Sequence, residues 1–288
     1  MPELPEVETT VRNLKKRVLK RTFIDVWTDF EKMIKKPSFK DFKKEIINKK
    51  IKDVRRRAKF ILFKLSDNKT LLVHQKLTGH FLLGKWKKVN NKWEAKNPAL
   101  KERVNTYIHL LFILDNGQML ALSDLRKFAK VELWNNDELA ESETMKNLGP
   151  EPLGKNFTTL TCINILKAKK GKIKQVLMDQ SAISGIGNIY SDEILFDSKI
   201  NPFKFTFQLT ENELKRICSS IPKILKIGIK LQGESISDWR TIEGKKGSFD
   251  DYRNVYQKEG KKCFRCKGLI VRKKIGGRSA HFCPRCQK

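Results

Sequence analysis

The first six residues carry groups that could perform covalent chemistry. Pro2 follows the initiator Met1, and methionine is commonly removed before a small residue, which would leave a secondary amine at the terminus. An α-amino group has a pKa of about 7.7–8.0, so a useful fraction is neutral and nucleophilic near neutral pH. Its attack on an aldehydic carbon gives a cationic iminium, an electron sink for elimination. Glu3 and Glu6 lie close by as carboxylates for proton transfer. An ordinary capped helix explains the same residues.

The cysteines fall into two groups. Cys263 and Cys266 are separated by two residues, and Cys283 and Cys286 repeat that spacing after sixteen further residues. Two such pairs predict one structural zinc ion that is bound by four thiolates. Cys162 and Cys218 stand alone, and we expect both to be small buried apolar side chains.

The charge of the chain indicates a polyanionic partner. The 288 residues include 61 Lys and Arg against 32 Asp and Glu, a net charge of +29. Such an excess is typical of proteins that bind nucleic acid. No apolar run approaches the length of a membrane span, and the acidic N-terminus lacks a signal-peptide pattern. We therefore expect a globular, cytoplasmic monomer that does not bind membranes.

Two kinds of pattern divide the chain. Short apolar stretches at hairpin spacing follow one N-terminal helix, at 22–30, 51–65, 71–74, 107–114, 119–122 and 128–134. They predict an antiparallel β-sandwich flanked by helices over residues 1–135, with 85–105 as an exposed excursion or long loop. We expect a linker at 136–155, a helical domain at 156–254, in which Thr210 and Glu213 form a capping box, and a zinc finger at 255–288. The fold class is then α+β with two domains.

The N-terminal sequence Met-Pro-Glu-Leu-Pro-Glu-Val-Glu-Thr resembles the start of bacterial formamidopyrimidine-DNA glycosylases, on the Fpg side of the Fpg/Nei family. The resemblance implies that Pro2 is the nucleophile and Glu3 the acid, with Glu6 in support. It also implies a bifunctional glycosylase and lyase of base excision repair, which removes 8-oxoguanine and formamidopyrimidines and then performs β,δ-elimination. The expected partner is double-stranded DNA with oxidised bases or abasic sites, and the expected location is the nucleoid.

Further site residues follow from the resemblance in the N-terminal half. Lys59 lies in an Arg-Arg-x-Lys-Phe context, which implies a phosphate contact, although such a basic run is more often a solvated face. Leu77 occupies the position of a residue that fills the void left by the extruded base, where the family often has Met. Arg126 and Phe128 correspond to the other two intercalating residues. Without the family, Arg126 would be a surface residue and Phe128 a core residue.

The C-terminal half contributes three segments. The run around Gly185, Gly187 and Asn188 resembles the family's helix–two-turn–helix motif, with one helix ending near Gln180, Asn188 capping the next, and turn amides that fit a phosphate. A plain helix–turn–helix is the alternative. The Gly- and Ser-rich segment from residue 232 resembles the loop that closes over the extruded purine, so we expect it to be mobile. Its contacts to the base would come from Ser235, Ile236 and Ser237. Arg278, in the finger's turn, would enter the DNA beside the lesion.

Two alternative functions remain open at this point. A Nei-like glycosylase for oxidised pyrimidines would share most of these motifs, although Leu4 and the closing loop favour the purine type. A non-catalytic zinc-ribbon DNA-binding protein would share the charge and the finger, and a retained Met1 would favour it.

Overall fold

The computed structural model describes residues 1–90, 92–235 and 238–288. The chain forms two compact units, one of residues 1–145 with 231–250 and one of residues 146–230 with 251–288. The segment 231–250, which the sequence assigned to the helical domain at 156–254, therefore lies in the first unit. Hydrogen bonds to the N-terminal half hold it there, because Leu83 N donates to Ile242 O at 2.8 Å and Glu234 N donates to Glu6 Oε1 at 2.8 Å.

The first unit is a β-sandwich, and its strands are β1 (Phe23–Thr28), β2 (Ile34–Lys36), β3 (Ile51–Arg57), β4 (Phe60–Leu65), β5 (Lys69–His74), β6 (His80–Gly84), β7 (Trp86–Val89), β8 (Lys92–Ala95), β9 (Ile108–Leu114), β10 (Met119–Ser123) and β11 (Lys130–Asn135). One sheet has the order β1-β9-β10-β6, and the other has the order β2-β11-β5-β4-β3. The pairing is antiparallel except between β2 and β11, which run parallel. Phe63 and Phe81, from opposite sheets, meet edge to face at 5.7 Å between ring centroids. The α+β class with an N-terminal sandwich is confirmed.

Among the described residues, the helices beside the sandwich are α1 (Leu4–Val18), α2 (Phe39–Ile46), α3 (Asn136–Glu141) and α4 (Glu143–Lys146). The apolar stripe of α1 is formed by Val7, Val11, Leu14 and Val18, all buried in the main core of this unit. Burial of that stripe fixes the rotation of α1 and therefore the place where the chain terminus emerges.

Residues 85–105 are mostly exposed where the structure describes them, as the sequence predicted, but they form an ordered excursion rather than a long loop. Strands β7 and β8 pair as an antiparallel hairpin, and two 3₁₀ turns follow at Pro98–Leu100 and Arg103–Asn105. Trp86 and Leu100 are only 4% and 1% exposed and pack in an apolar cluster with Leu111. The many Lys and Asn residues of this segment lie around a few apolar anchors, which is why composition indicated a loop.

The second unit contains α5 (Thr159–Ala168), α6 (Ile173–Met178), α7 (Asn188–Ser198) and α8 (Glu211–Lys230), then the short α9 (Phe249–Tyr252) at its border, and the hairpin of β12 (Val271–Ile275) and β13 (Arg278–Phe282). The predicted capping box is confirmed, because Thr210 N donates to Glu213 Oε2 at 2.9 Å and Glu213 N donates to Thr210 Oγ1 at 3.3 Å. No helix among the described residues is long and apolar enough to span a membrane.

Cys162 and Cys218 are buried, as the sequence predicted, but they are not two separate apolar side chains. They form a disulfide between α5 and α8, with 5.8 Å between their Cα atoms. The two positions are 56 residues apart in sequence, so only the packing of the two helices brings them together.

Candidate active site and zinc centre

At the N-terminal site, backbone amides bond to the carboxylate of Glu6. Glu3 precedes the first turn of α1 and is 2% exposed, as is Glu6. Glu3 N donates to Glu6 Oε2 at 2.7 Å, and Glu234 N donates to Glu6 Oε1 at 2.8 Å. Both oxygens of Glu6 are therefore held by backbone amides, one beside the chain terminus and one in the segment 231–250. A small recess at this point is lined by Met1, Pro2, Glu6, Leu77, Glu234 and Trp239.

Lys59 lies in the tight turn between β3 and β4. The turn is held against α1, because Arg56 Nε donates to Glu8 Oε2 at 2.8 Å and Arg56 Nη1 donates to Ala58 O at 3.1 Å. Ala58 has a φ of 52°, as such a turn requires. Lys59 itself is only 6% exposed. The alternative of a solvated basic face therefore does not apply to Lys59, and the packing of the turn fixes its position.

His74 adds a neutral group to a basic neighbourhood. Burial, followed by the positive charges of Lys76, Lys59 and Lys130, lowers the pKa of His74 to about 3. The imidazole is therefore uncharged near neutral pH, and its Nδ1 accepts a hydrogen bond from Lys76 N at 3.0 Å. This bond helps to set the course of the chain towards Leu77.

Two predicted intercalating residues share a basic groove. The groove has a volume of about 440 Å³ and is lined by Met1, Lys35, Lys76, Leu77, Lys127, Phe128, Ala129 and Lys130. Phe128 is 53% exposed, so it is not a core residue. The Arg126 guanidinium lies 5.8 Å from the centre of the Phe128 ring. The structure thus brings Leu77, Arg126 and Phe128 to one surface of the first unit.

Asp124 organises this surface, and the sequence did not single it out. Its side chain is fully buried. One carboxylate oxygen accepts from the Thr78 hydroxyl and from Arg126 N at 3.3 Å, and the other accepts from Ala129 N at 2.7 Å. Asp124 therefore ties the Leu77 segment to the Arg126 segment. An Asp directly before a turn was the available signal, because its carboxylate can bond to backbone amides two or more residues further on.

The segment 231–250 is anchored where the structure describes it, whereas the sequence predicted mobility. Arg240 forms a two-pronged ion pair with Glu102 at 2.6 and 2.7 Å. Ser235 is buried, its N donates to Asp250 Oδ1 at 2.9 Å, and its Oγ accepts from Gly247 N at 2.9 Å. Ile236 and Ser237, which were predicted to contact the base together with Ser235, lie outside the described residues.

The segment predicted as a helix–two-turn–helix lies in the second unit, with one correction. Helix α6 ends at Met178, near Gln180 as predicted, but Asn188 is the first residue of α7 rather than its cap, a position that Gly187 occupies. Asn188 has helical geometry, so its side chain cannot make the capping bond. Its buried Oδ1 accepts no hydrogen bond within the part of the chain that the structure describes. An orphaned polar atom at a helix N-terminus suits an external donor or anion-bound water.

Gln180 shapes this turn, and the sequence did not identify that role. Its Nε2 donates to Met178 O at 2.9 Å and to Ile186 O at 2.8 Å. Its Oε1 accepts from Gly185 N at 2.9 Å. The side chain thus replaces helical hydrogen bonds across the turn, and it holds Gly185, whose φ is 93°.

A buried ion pair links this turn to the β-hairpin within the same unit. Lys174 and Asp192 are fully buried and form a bond of 2.5 Å, and Lys174 Nζ also donates to Asn188 O at 3.3 Å. The second oxygen of Asp192 accepts from His281 N at 2.9 Å. Because each charge has several partners, the pair specifies one arrangement of α6, α7 and β13.

The four C-terminal cysteines form a metal site. Their sulfur atoms all lie within 4.8 Å of one another, and the Sγ atoms of Cys263 and Cys286 are 3.8 Å apart. A zinc ion with bonds of about 2.3 Å in a tetrahedron requires sulfur separations of about 3.8 Å. Burial, followed by the neighbouring thiols of the other three cysteines, raises the pKa of Cys286 to about 12, so a cation is needed to hold the thiols of this cluster as thiolates. The site holds one structural zinc ion, as the sequence predicted.

Arg278 lies at the start of β13, exposed to solvent. The turn before it contains Gly276 and Gly277, with φ values of 53° and 72°. A Cβ on Gly276 would lie 2.3 Å from Gln175 Nε2, so a larger residue would displace the Gln175 side chain on α6. A recess of about 240 Å³ beside Arg278 is lined also by Gln175 and Met178. Lys59, Leu77, Arg126 and Phe128 thus share the first unit with Pro2, whereas Asn188, Arg278 and the cysteines belong to the second.

Three family models match the chain in sequence order. They are the formamidopyrimidine-DNA glycosylase N-terminal domain over residues 1–131, the formamidopyrimidine-DNA glycosylase H2TH domain over 148–240, and the zinc finger found in FPG and IleRS over 260–288. The chain belongs to the formamidopyrimidine-DNA glycosylase family. The resemblance predicted from the sequence is thereby confirmed, and with it the assignment to the DNA glycosylases of base excision repair.

Similar proteins cover the chain from end to end. The formamidopyrimidine-DNA glycosylase of Pelotomaculum thermopropionicum is 37% identical over 100% of this chain and 99% of its own length. That of Carboxydothermus hydrogenoformans is 36% identical, with 100% of both chains covered. Among solved structures, a Lactococcus lactis FPG mutant in complex with Fapy-dG containing DNA is 34% identical, with a TM-score of 0.88 and 100% of both chains covered. Lactococcus lactis Fpg in complex with abasic-site DNA has a TM-score of 0.87, with 34% identity and 99% of both chains covered.

Proposed function

We propose that the protein removes 8-oxoguanine and formamidopyrimidines from duplex DNA and then cleaves the strand at the resulting abasic site. The observation that carries the proposal is the recess at the head of α1, which Pro2 and Glu6 line and where the backbone N of Glu3 donates to Glu6. The solved Lactococcus lactis relatives, bound to DNA with Fapy-dG or an abasic site, support the substrate class. The proposal also places the protein in the cytoplasm, on the nucleoid, where its substrate lies.

The chemistry starts at the terminus once Met1 has been removed. The Pro2 nitrogen attacks C1′ of the damaged nucleotide, which is flipped out of the duplex, and the bond from C1′ to the base breaks. Glu3 protonates the sugar ring oxygen as the ring opens, and the base leaves with a proton. The iminium that forms between Pro2 and C1′ acidifies the C2′ proton, so the 3′ phosphate departs by β-elimination and the 5′ phosphate follows by δ-elimination.

Glu6 has a positioning role in this scheme. Its two oxygens hold the amides of Glu3 and Glu234 at 2.7 and 2.8 Å. It therefore fixes the direction in which the terminus leaves α1 and keeps the segment that contains Ser235 beside Pro2. Ser235, with Ile236 and Ser237, would contact the flipped base.

In this proposal, each of the two units contributes its own contacts to DNA. In the first, Lys59 would bind phosphates beside the lesion, while Leu77 and Phe128 would fill the void and Arg126 would bond to the orphaned base. The groove lysines would bind the backbone around them. In the second, the amides before α7, with Gly187 and Asn188, would bind phosphate, and Arg278 would enter the duplex beside the lesion. Zinc supplies no chemistry and holds the hairpin that carries Arg278.

Trapping of the iminium tests the proposal. Zinc-loaded protein without Met1 is incubated with duplex DNA that contains 8-oxoguanine opposite cytosine, and borohydride is added. We expect a covalent adduct that Pro2→Gly abolishes or strongly reduces. Pro5→Ala is the matched control, because Pro5 lies three residues further on, in the first turn of α1, where Ala also fits the helix.

Other outcomes would redirect the assignment. An adduct formed mainly with a thymine-glycol duplex would place the protein with the enzymes for oxidised pyrimidines. Absence of any adduct, with intact binding to the duplex, would mean that the protein binds DNA without performing the chemistry. An adduct of equal yield from Pro2→Gly would show that the secondary amine of proline is not required for the chemistry.

A further inference from the structure

A second cavity in the first unit has no part in the proposed chemistry. It has a volume of about 640 Å³ and lies among β1, β8 and the chain between Leu100 and His109. Among the described residues, its lining has none in common with the recess at Pro2 or the groove at Leu77. A volume of this size is typical of sites for small organic ligands. The β7–β8 hairpin supplies one of its walls.

Tryptophan side chains form part of the cavity wall. Trp27, Trp86 and Trp93 line it, which is three of the five tryptophans in the chain. Trp27 and Trp93 meet edge to face at 5.5 Å between ring centroids. Trp86 is 4% exposed and is held by the apolar cluster behind it, whereas Trp27 and Trp93 are half-buried. Indole faces that are fixed by their neighbours but still open to solvent are suited to stacking against a flat ring.

Polar groups complete the lining. Asp29 and Glu94 contribute carboxylates, and Lys92 and Lys101 contribute ammonium groups. His109 Nδ1 is bonded to Asp29 Oδ1 at 2.8 Å, so the carboxylate fixes the orientation of the imidazole. A carboxylate only accepts hydrogen bonds, and its two oxygens match two neighbouring N–H donors. The cavity therefore presents acceptors for an N–H edge and cations for an anionic substituent.

We propose that this cavity binds a purine base or nucleotide, with guanine as the preferred base. The ring would stack on the partly exposed indole of Trp93, and the amide and amino N–H groups of guanine would donate to a carboxylate of the lining. Lys92 and Lys101 would bind a phosphate. A cationic ligand fits less well, because Lys88 Nζ already lies 6.0 Å from the Trp27 ring centre, two lysines line the cavity, and the chain carries a net charge of +29.

Tryptophan fluorescence and calorimetry can test the proposal on the full-length, zinc-loaded protein. Guanosine and GMP should each quench the fluorescence with saturation at one site, and GMP should bind more tightly because of the lysines. Inosine, which lacks the amino group, should bind about tenfold more weakly, as the loss of one hydrogen bond to a charged group predicts. Trp93→Leu should weaken guanosine binding about tenfold or more, because one stacking surface is lost.

Two controls separate this cavity from other sites. Trp134→Leu removes a tryptophan outside the cavity, bonded through Nε1 to Glu132 at 2.8 Å, and should leave guanosine binding unchanged. Pro2→Gly should also bind guanosine normally, since the cavity is separate from the recess at Pro2. Trp93→Leu should still form the borohydride adduct, which shows that the variant is folded and keeps this proposal independent of the proposed function.

Three results would overturn the proposal. The first is a lack of saturable quenching and of binding heat at millimolar guanosine. The second is an equal loss of binding in Trp93→Leu and Trp134→Leu. The third is tighter binding of tetramethylammonium than of guanosine, which would make the cavity a cation site.

Discussion

Replacement of Glu6 by Gln tests how the terminus is positioned. Each oxygen of Glu6 accepts one backbone N–H, from Glu3 at 2.7 Å and from Glu234 at 2.8 Å. A glutamine offers one oxygen and one amino group, so in either orientation one backbone donor faces another donor. The side chain is 2% exposed, and water cannot easily replace the lost partner.

The expected effect can be worked out from that loss. A hydrogen bond to a charged group contributes about 1.5–3 kcal/mol. If the geometry of Pro2 and Glu3 depends on the bond, the rate of base removal should fall about tenfold to 150-fold. The free energy of unfolding should fall by a similar amount, because the unpaired amide is buried in the folded protein.

Replacement of Gly233 by Ala is a second way to displace the Glu6 side chain. A Cβ on Gly233 would lie 2.9 Å from Glu6 Cγ and from Glu6 Oε1, and Gly233 has a φ of 80°. Gly117→Ala is the matched control, because Gly117 has a φ of 72° and open space around its Cα. Both variants carry the backbone strain of a left-handed alanine, roughly 1–2 kcal/mol, but only Gly233→Ala displaces Glu6.

The assay is single-turnover release of 8-oxoguanine with enzyme in excess, alongside urea unfolding of each variant. Glu6→Gln and Gly233→Ala should both slow base release. Gly117→Ala should lower the free energy of unfolding without slowing base release. Wild-type rates in Glu6→Gln, or equal slowing in Gly117→Ala and Gly233→Ala, would refute the positioning role.

Two further predictions concern the finger and the sandwich. Chelation of zinc should abolish specific DNA binding and make residues 260–288 sensitive to protease, since the four thiols cannot hold the hairpin alone; retained tight binding in a gel-shift assay would contradict this. His74 should make stability depend on pH, because burial lowers its pKa to about 3 while the unfolded chain takes up the proton near pH 6.5. The free energy of unfolding should therefore fall as the pH drops from about 6.5 towards 3, by at most about 1.4 kcal/mol per unit from this group. In His74→Asn the fall should be shallower in urea titrations at stepped pH, and parallel curves for the two proteins would count against it.

The spacing of residues along the sequence was sufficient to predict several features of this protein. The Cys263–Cys286 pattern predicted the zinc site because metal ligands at short separations need only a tight turn to converge. The stripe of Val7, Val11 and Leu14 predicted α1, and alternating apolar residues predicted most strands of the sandwich. The N-terminal motif predicted the family, because its sequence resembles the start of formamidopyrimidine-DNA glycosylases.

The tertiary structure decided what depends on distant contacts. Cys162 and Cys218 are bonded because α5 packs beside α8, and residues 85–105 form a hairpin because Trp86 and Leu100 reach an apolar cluster. Segment 231–250 joins the first unit through Glu234 and Arg240. The roles of Asp124 and Gln180 could not be predicted from the sequence either. Their side chains hold nearby backbone amides in place because burial removes water as a competing partner. Sequence spacing reports which residues are neighbours along an element, whereas burial and long-range pairing exist only once the elements have packed.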